Sequence, residues 1–264
     1  GYSSTESGHV RIFTWNGISW NQLGNDIDAE GADDLAADVS LSSDGNTVAI
    51  GAHMNDGNGS NSGHVRIYAY SGGSWSQLGS DIDGESGGDN FGYRSLSLDS
   101  EGDRVAIGAR YNDGTASNAG HVRVYGYSGG SWTQLGNDID GAAANDWFGF
   151  SVSIDSDGDL YVSAHLGLPI TIGNHSISMY GSDAVYVAKA LSNGTWAWAL
   201  SAGATEDNTL CSSTGEYLSV NGLVVDSDES LYLAGSYYGQ HGLSGVHCST
   251  QEAVFGSTTI TPNG

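Results

Sequence analysis

The tetrapeptide Gly-His-Val-Arg occurs three times, with its histidine at positions 9, 64 and 121. About ten residues after each copy the chain reaches Ser-Trp-x-Gln-Leu-Gly, with Trp20, Trp75 and Trp132 at the same steps of 55 and 57 residues, and Asp-Ile-Asp then follows. Between these blocks, residues 39–52 read VSLSSDGNTVAIGA and residues 96–109 read LSLDSEGDRVAIGA. A period of about 56 residues constrains the fold more than any composition does. Each unit is too small to bury its own apolar face, so successive units must stack.

Within a unit, apolar residues alternate with polar ones or form short β-branched runs, each bounded by Gly, Asn, Asp or Ser. Four strands fit the second unit, over about 94–98, 104–109, 121–127 and 131–139. The joining segments DSEGD, NDGTASNAG and SGG are turn chemistry, because Gly and Asn accept positive φ and Asp caps its own backbone. The 41 glycines in 264 residues fit a chain so rich in turns. An antiparallel meander of four with no crossover helix is the unit of a β-propeller. The expected fold is therefore all-β: a propeller, or an arc of one, with about four blade equivalents.

After residue 150 the wording changes and the frame persists. Residues 154–162 (IDSDGDLYV) and 225–233 (VDSDESLYL) take the place of the earlier hairpin, and residues 184–190 (AVYVAKA) and 195–200 (TWAWAL) stand for the third and fourth strands. Trp196 thereby takes the place of Trp132, and the four repeated tryptophans are expected in the core between sheets. The organisation read from these blocks is residues 1–150 of one repeat type, continued by residues 151–264 of another in the same propeller.

The GHVRVY and GGSWTQLG blocks resemble the tandem propeller repeats of surface proteins from algae and aquatic microbes, over residues 8 to about 150. From about 150 onward, the VAKA, TWAWA and VDSD blocks are similar to the bacterial β-propeller repeat family. The resemblance implies a propeller and carries no agreed catalytic apparatus. The chain opens on third and fourth strands and closes on first and second strands plus a fragment, 253–264, that parallels 171–181. Such half-units predict an arc cut from a longer chain; a closed four-bladed ring is the alternative.

Acidic residues number 31 against 7 Lys and Arg, a formal net charge of -24. No run of phosphates could be neutralised by such a chain, which excludes nucleic acid as a partner. No stretch approaches the roughly 18 apolar residues of a membrane helix, so no membrane insertion is expected. His9, His64 and His121 invite a metal reading, yet equivalent positions in successive units are spread apart, so packing or hydrogen bonding explains them better. Arg11, Arg66 and Arg123 are expected to pair with the Asp-Ile-Asp carboxylates. Trp147 and Trp198 lack a counterpart in every repeat and are slightly better ligand candidates than the other tryptophans, although a core role is the stronger expectation for them too. The turn Asp155-Ser156-Asp157-Gly158-Asp159 resembles the start of a calcium loop, but it closes a hairpin and its counterparts do not keep the carboxylates. Weak surface binding of Ca2+ is all that is expected, with no cofactor. No Gly-x-Ser-x-Gly elbow is present, and no catalytic residue emerges.

Two features stand outside the repeat. Cys211 and Cys248 lie in insertions flanking one hairpin and are expected to form a disulfide, with a zinc site that adds His241 and His247 as the alternative. Asn58, Asn174 and Asn193 each begin an Asn-x-Ser/Thr triplet at a predicted turn and are expected to carry N-glycans. Together these features predict a non-enzymatic module of an extracellular, surface or fibre-forming glycoprotein whose partners are other modules or copies of itself. The alternative is a carbohydrate-binding propeller, a lectin or a degenerate glycosidase.

Overall fold

The computed structural model describes residues 8–31, 34, 36, 38–166, 169–178, 184–205, 217–226, 230–238, 252–255 and 258–260. Every regular element among them is a β-strand. In the first complete unit, Asp38–Leu41, Thr47–Ala52, His64–Ser71 and Ser74–Gln77 lie side by side in chain order, all antiparallel. The short Ile82–Asp83 returns to pair with the free start of His64–Ser71. The next unit repeats this strand for strand with Leu96–Leu98, Arg104–Ala109, His121–Ser128, Ser131–Gln134 and Ile139–Asp140. Local sequence accounts for the tight connections: Gly72 and Gly73 have φ of 62° and 93°, the doubly positive pair that a two-residue hairpin turn requires.

The third unit orders Ser151–Ile154, Leu160–Leu166, Ala184–Ala190 and Trp196–Thr205 in the same way. It departs from the others in carrying a separate hairpin, Ile170–Ile172 with His175–Ile177, between its second and third strands. The end of the chain also differs from expectation. Glu252–Phe255 does not begin another unit but pairs with the outer strand Trp196–Thr205, and Thr258–Ile260 pairs with it in turn, giving a six-stranded sheet. Tyr217–Val225 and Leu231–Tyr238 form their own hairpin, as do Phe13–Trp15 and Trp20–Gln22. Among the described residues these two end hairpins share no sheet.

The core lies between the sheets, in one cluster per interface. Ile12 and Ile27 meet Val48, Ile50 and Trp75; Ile67 and Ile82 meet Leu98, Val105 and Ile107; Val122 and Phe148 meet Val152, Leu160 and Tyr186; Tyr161 and Val187 meet Val220 and Leu223. First strands are also tied to one another. The hydroxyl of Ser40 accepts from the Leu98 amide at 2.9 Å, that of Ser97 from Ile154 at 3.1 Å, and that of Ser153 from Val225 at 3.2 Å. A Ser at one repeated position thus draws each first strand against the next.

The repeated Trp residues are not equivalent. Trp75 is 8% exposed, Trp132 and Trp196 are half-buried, and Trp20 is 67% exposed. The expectation of a core indole in every repeat is corrected at Trp20. Trp75 and Trp132 each pack on a Leu-Gly step of the preceding unit, and among the described residues no such step precedes Trp20.

Candidate functional site

The repeated polar residues form a structural lattice. Arg11 pairs with Asp26 at 2.7 Å, Arg66 with Asp81 at 2.9 Å and Arg123 with Asp138 at 2.9 Å, in each case the first Asp of Asp-Ile-Asp. Gln22, Gln77 and Gln134 donate to the same three carboxylates. Glu30 and Glu85 reach forward to Arg66 and Arg123 in the next unit. His64 with Asp81 and Asp83, and His121 with Glu85 and Asp138, bring metal-type ligands close together. The guanidinium of Arg66 or Arg123 already supplies the cation in each group. Burial, aided by Arg123, pushes His121 down to about 4, so its imidazole is neutral at physiological pH. His9 is exposed.

The acidic turn at 155–159 also serves the fold. Asp155 accepts from the amides of Asp157 and Asp159 at 3.0 and 2.9 Å, and Lys189 lies 3.0 Å from Asp159 and 3.6 Å from Asp155. An ammonium therefore occupies the place where a calcium ion would have to sit. Asn58, Asn174 and Asn193 are exposed and lie in turns. Trp198 is half-buried, its ring 6.1 Å from that of Tyr161. Cys211, Cys248, His241 and His247 lie outside the described residues.

Unrepeated side chains gather elsewhere, at the ends of the second strands. His53 follows Ala52, Arg110 follows Ala109, and His165 takes the same place in the third unit. Against them lie the segments that enter the first strands, 90–94 and 147–151. His53 stacks on Tyr93 with ring centroids 4.2 Å apart. The Arg110 guanidinium stands 4.7 Å from the Tyr93 ring, 4.6 Å from Phe150 and 4.8 Å from Tyr111, and Arg94 adds a second guanidinium 5.2 Å from Tyr93. Trp147 lies 5.4 Å from His165.

This end of the molecule holds backbone strain and unused hydrogen-bonding capacity. Arg94 and Trp147 have φ of 56° and 48°, left-handed conformations that cost a side chain of this size on the order of 1–3 kcal/mol. The buried Nε of Arg110, Nδ1 of His53 and Nε1 of Trp147 have no hydrogen-bond partner among the described residues. Neither does Oδ1 of Asp146, and its sequence position explains why. Asp34 and Asp89 accept from the side chains of Asn55 and Asn112 at 2.9 and 3.0 Å, whereas the sequence has Gly167 at the corresponding place. Atoms of Arg66, His121 and Asp155 in the structural lattice share this condition, so what sets this end apart is the gathering of four such atoms beside strained backbone.

Electrostatics point the same way. Arg11, Arg66, Arg123 and Lys189 pair with carboxylates, and Arg104 reaches the Asp157 carbonyl. Arg94 and Arg110 have no carboxylate in salt-bridge range among the described residues, despite the net charge of -24. Burial pushes Asp38 up to about 6, opposed by the Val39 and Leu96 amides and by Arg94. Burial, with the charges of Arg110 and Arg94, pushes His53 down. At neutral pH the cluster therefore presents two guanidiniums, a neutral imidazole and several aromatic edges.

Sequence reasoning set Trp147 apart as unrepeated but favoured a core role for it, and it missed His53, Tyr93, Arg94, Arg110 and Phe150. A signal was present: inside the repeated frame, the last residue of GAH, GAR and SAH alternates between His and Arg, and FGYR changes to FGFS.

No family model and no curated protein matches the chain. Solved structures do. A Bacteroides uniformis protein provisionally assigned as a 6-phosphogluconolactonase aligns at 12% identity and a TM-score of 0.45, over 71% of this chain and 46% of its own. A Lactobacillus plantarum protein aligns at 12% identity and a TM-score of 0.42, over 98% of this chain and 82% of its own. An ancestral GH74 enzyme aligns at 15% identity and a TM-score of 0.41, over 96% of this chain and 34% of its own. The chain thus spans less than half the length of the first and last of these.

Proposed function

We propose that the chain is a non-catalytic propeller module of four-stranded blades that binds an acidic carbohydrate at the Arg94–Arg110 cluster, in an extracellular setting. The stacked meanders and serine-linked first strands support the blade arrangement. One observation carries the ligand reading: the Arg110 guanidinium is held between Tyr93 and Phe150 with a buried Nε left over, in a chain that pairs most other cations internally. A planar fork of donors suits a carboxylate or sulfate, and aromatic faces suit a sugar ring. With so negative a surface, a long polyanion is repelled at a distance, while a single acidic residue can still reach two local guanidiniums. Asp38 and Asp146 each accept from a backbone amide of their own segment, and this reading gives neither a catalytic role.

Calorimetric titration with neutral, uronic and sulfated oligosaccharides tests this reading. Binding of the acidic members alone, at least tenfold weaker in Arg110→Met, is the expected result. Equal binding of neutral sugars, no loss on Arg110→Met, or turnover of a bound glycan would overturn it.

A second reading, a structural module that assembles with other modules or its own copies, is favoured by a separate feature. Phe13, Trp15, Ile18 and Trp20 form one exposed apolar hairpin, with Ile18 88% exposed.

A further inference from the structure

The Leu-Gly step that ends each Ser-Trp-x-Gln-Leu-Gly block is built the same way three times. The amides of Leu23, Leu78 and Leu135 donate to Ile12, Ile67 and Val124 at 2.8, 2.7 and 2.8 Å. The glycines that follow, Gly24, Gly79 and Gly136, have φ of 75°, 78° and 77°. On the first two steps sits the indole of the next unit: Trp75 Nε1 donates to the Leu23 carbonyl and Trp132 Nε1 to that of Leu78, both at 2.7 Å. The fit is close. A Cβ on Gly24 or Gly79 would lie 2.8 Å from the indole Cδ1.

The third step has the same backbone and no indole. Nothing lies within 4 Å of a Cβ placed on Gly136, and Leu135 is 46% exposed. Trp196, which the repeat aligns with Trp132, lies instead against Gly173 of the inserted hairpin, where a Cβ would stand 2.9 Å from its Cδ1. A cleft of about 320 Å³ is left over Leu135, Gly136 and Ile139, bounded on its far side by Leu191, Asn193 and Trp196.

The chain also carries the matching half. Trp20 is presented as Trp75 and Trp132 are, its ring 5.5 Å from Trp15 where the other two lie 5.2 Å from Tyr70 and Tyr127. Its hairpin is exposed, and among the described residues no Leu-Gly step lies under it.

We propose that the Leu135–Gly136 step is a docking notch for an indole and that its occupant is Trp20 of a second copy of this chain. The fit is already made twice within one molecule, which specifies the ligand: a flat apolar ring whose N–H reaches the Leu135 carbonyl. One notch and one indole on different units make a head-to-tail contact, which propagates into open chains or closes into rings. This docking rests on the assembly reading and is independent of the Arg110 cluster.

Sedimentation velocity on the full chain and two variants tests it. Trp20→Ala removes the indole; Gly136→Asn keeps a residue that tolerates positive φ and places a side chain where the ring must lie. Both sites are open in the single molecule, so circular dichroism should match the wild type. The wild type is expected to grow beyond the monomer with concentration, and each variant to need at least tenfold more protein to do so. An equimolar mixture retains one intact pairing, Trp20 of the Gly136→Asn chain with the notch of the Trp20→Ala chain, and should stop at a 1:1 dimer. If the wild type associates while the variants associate equally well, or the mixture stays monomeric, the notch is overturned and the assembly reading stands. A wild type that remains monomeric throughout overturns both the notch and assembly of the chain with its own copies.

Discussion

Trp75 and Trp20 occupy the same position in successive repeats, and truncating each to Ala should have very different consequences. Trp75 is 8% exposed, packs among Ile12, Ile27, Val48 and Ile50, and donates to the Leu23 carbonyl at 2.7 Å. Removing a buried indole costs about 3–5 kcal/mol, of which about 1 belongs to the hydrogen bond and about 0.5–1.5 to the Tyr70 ring pair. Trp20 is 67% exposed and loses only its contact with Trp15, so about 0.5 kcal/mol is expected there. For a chain of this size each kcal/mol moves the midpoint by about 2–4 °C, so the two variants should separate by roughly 5–18 °C. Trp75→Phe, which keeps a ring and leaves the Leu23 carbonyl without its donor, should fall between them. Thermal unfolding followed by far-ultraviolet circular dichroism, at protein concentrations low enough to keep the chain monomeric, measures all three. Equal losses at Trp20 and Trp75, or a loss below about 1 kcal/mol at Trp75, would refute the idea that the preceding Leu-Gly step is what makes the repeated indole a core residue.

Binding of a sulfated saccharide should tighten as pH falls from 7 to 5 with a midpoint near 6, because Asp38 has its carboxyl pushed up to about 6 and offsets Arg94 only when ionised; His53, pushed down by burial, adds charge later. Asp38→Asn should flatten that profile in the same titration. Lys189→Met should destabilise the chain by about 3–5 kcal/mol, since it leaves the buried Asp155 and Asp159 without their cation; urea unfolding measures this. In a eukaryotic secretory host, Asn174 and Asn193 should carry glycans more fully than Asn58, whose side-chain nitrogen already donates to the Gly84 carbonyl at 2.8 Å. Glycosidase release in heavy water with peptide mass mapping reads the occupancy of each site.

Much of the architecture was legible in the sequence, because a 55- and 57-residue recurrence of Gly-His-Val-Arg and Ser-Trp-x-Gln-Leu-Gly forces equivalent units, and alternation with Gly-rich turns forces strands. The pairing of Arg11, Arg66 and Arg123 with Asp-Ile-Asp followed from the same recurrence. Recurrence says nothing about what covers a given copy. Trp20 and Trp75 both stand in a Ser-Trp-x-Gln-Leu-Gly block, yet Trp75 rests on a preceding unit and Trp20 faces solvent. Trp196 keeps the repeat position of Trp132 and packs on Gly173, because a hairpin inserted in its own unit intervenes. The Arg110 cluster belongs to the same class of fact. His53, Tyr93, Arg110 and Phe150 come from three successive units and sit at varying positions within the frame, so only the stacking of those units brings a guanidinium between two rings. A sequence period fixes what each unit is; contacts between units depend on their relative placement, which no single period encodes.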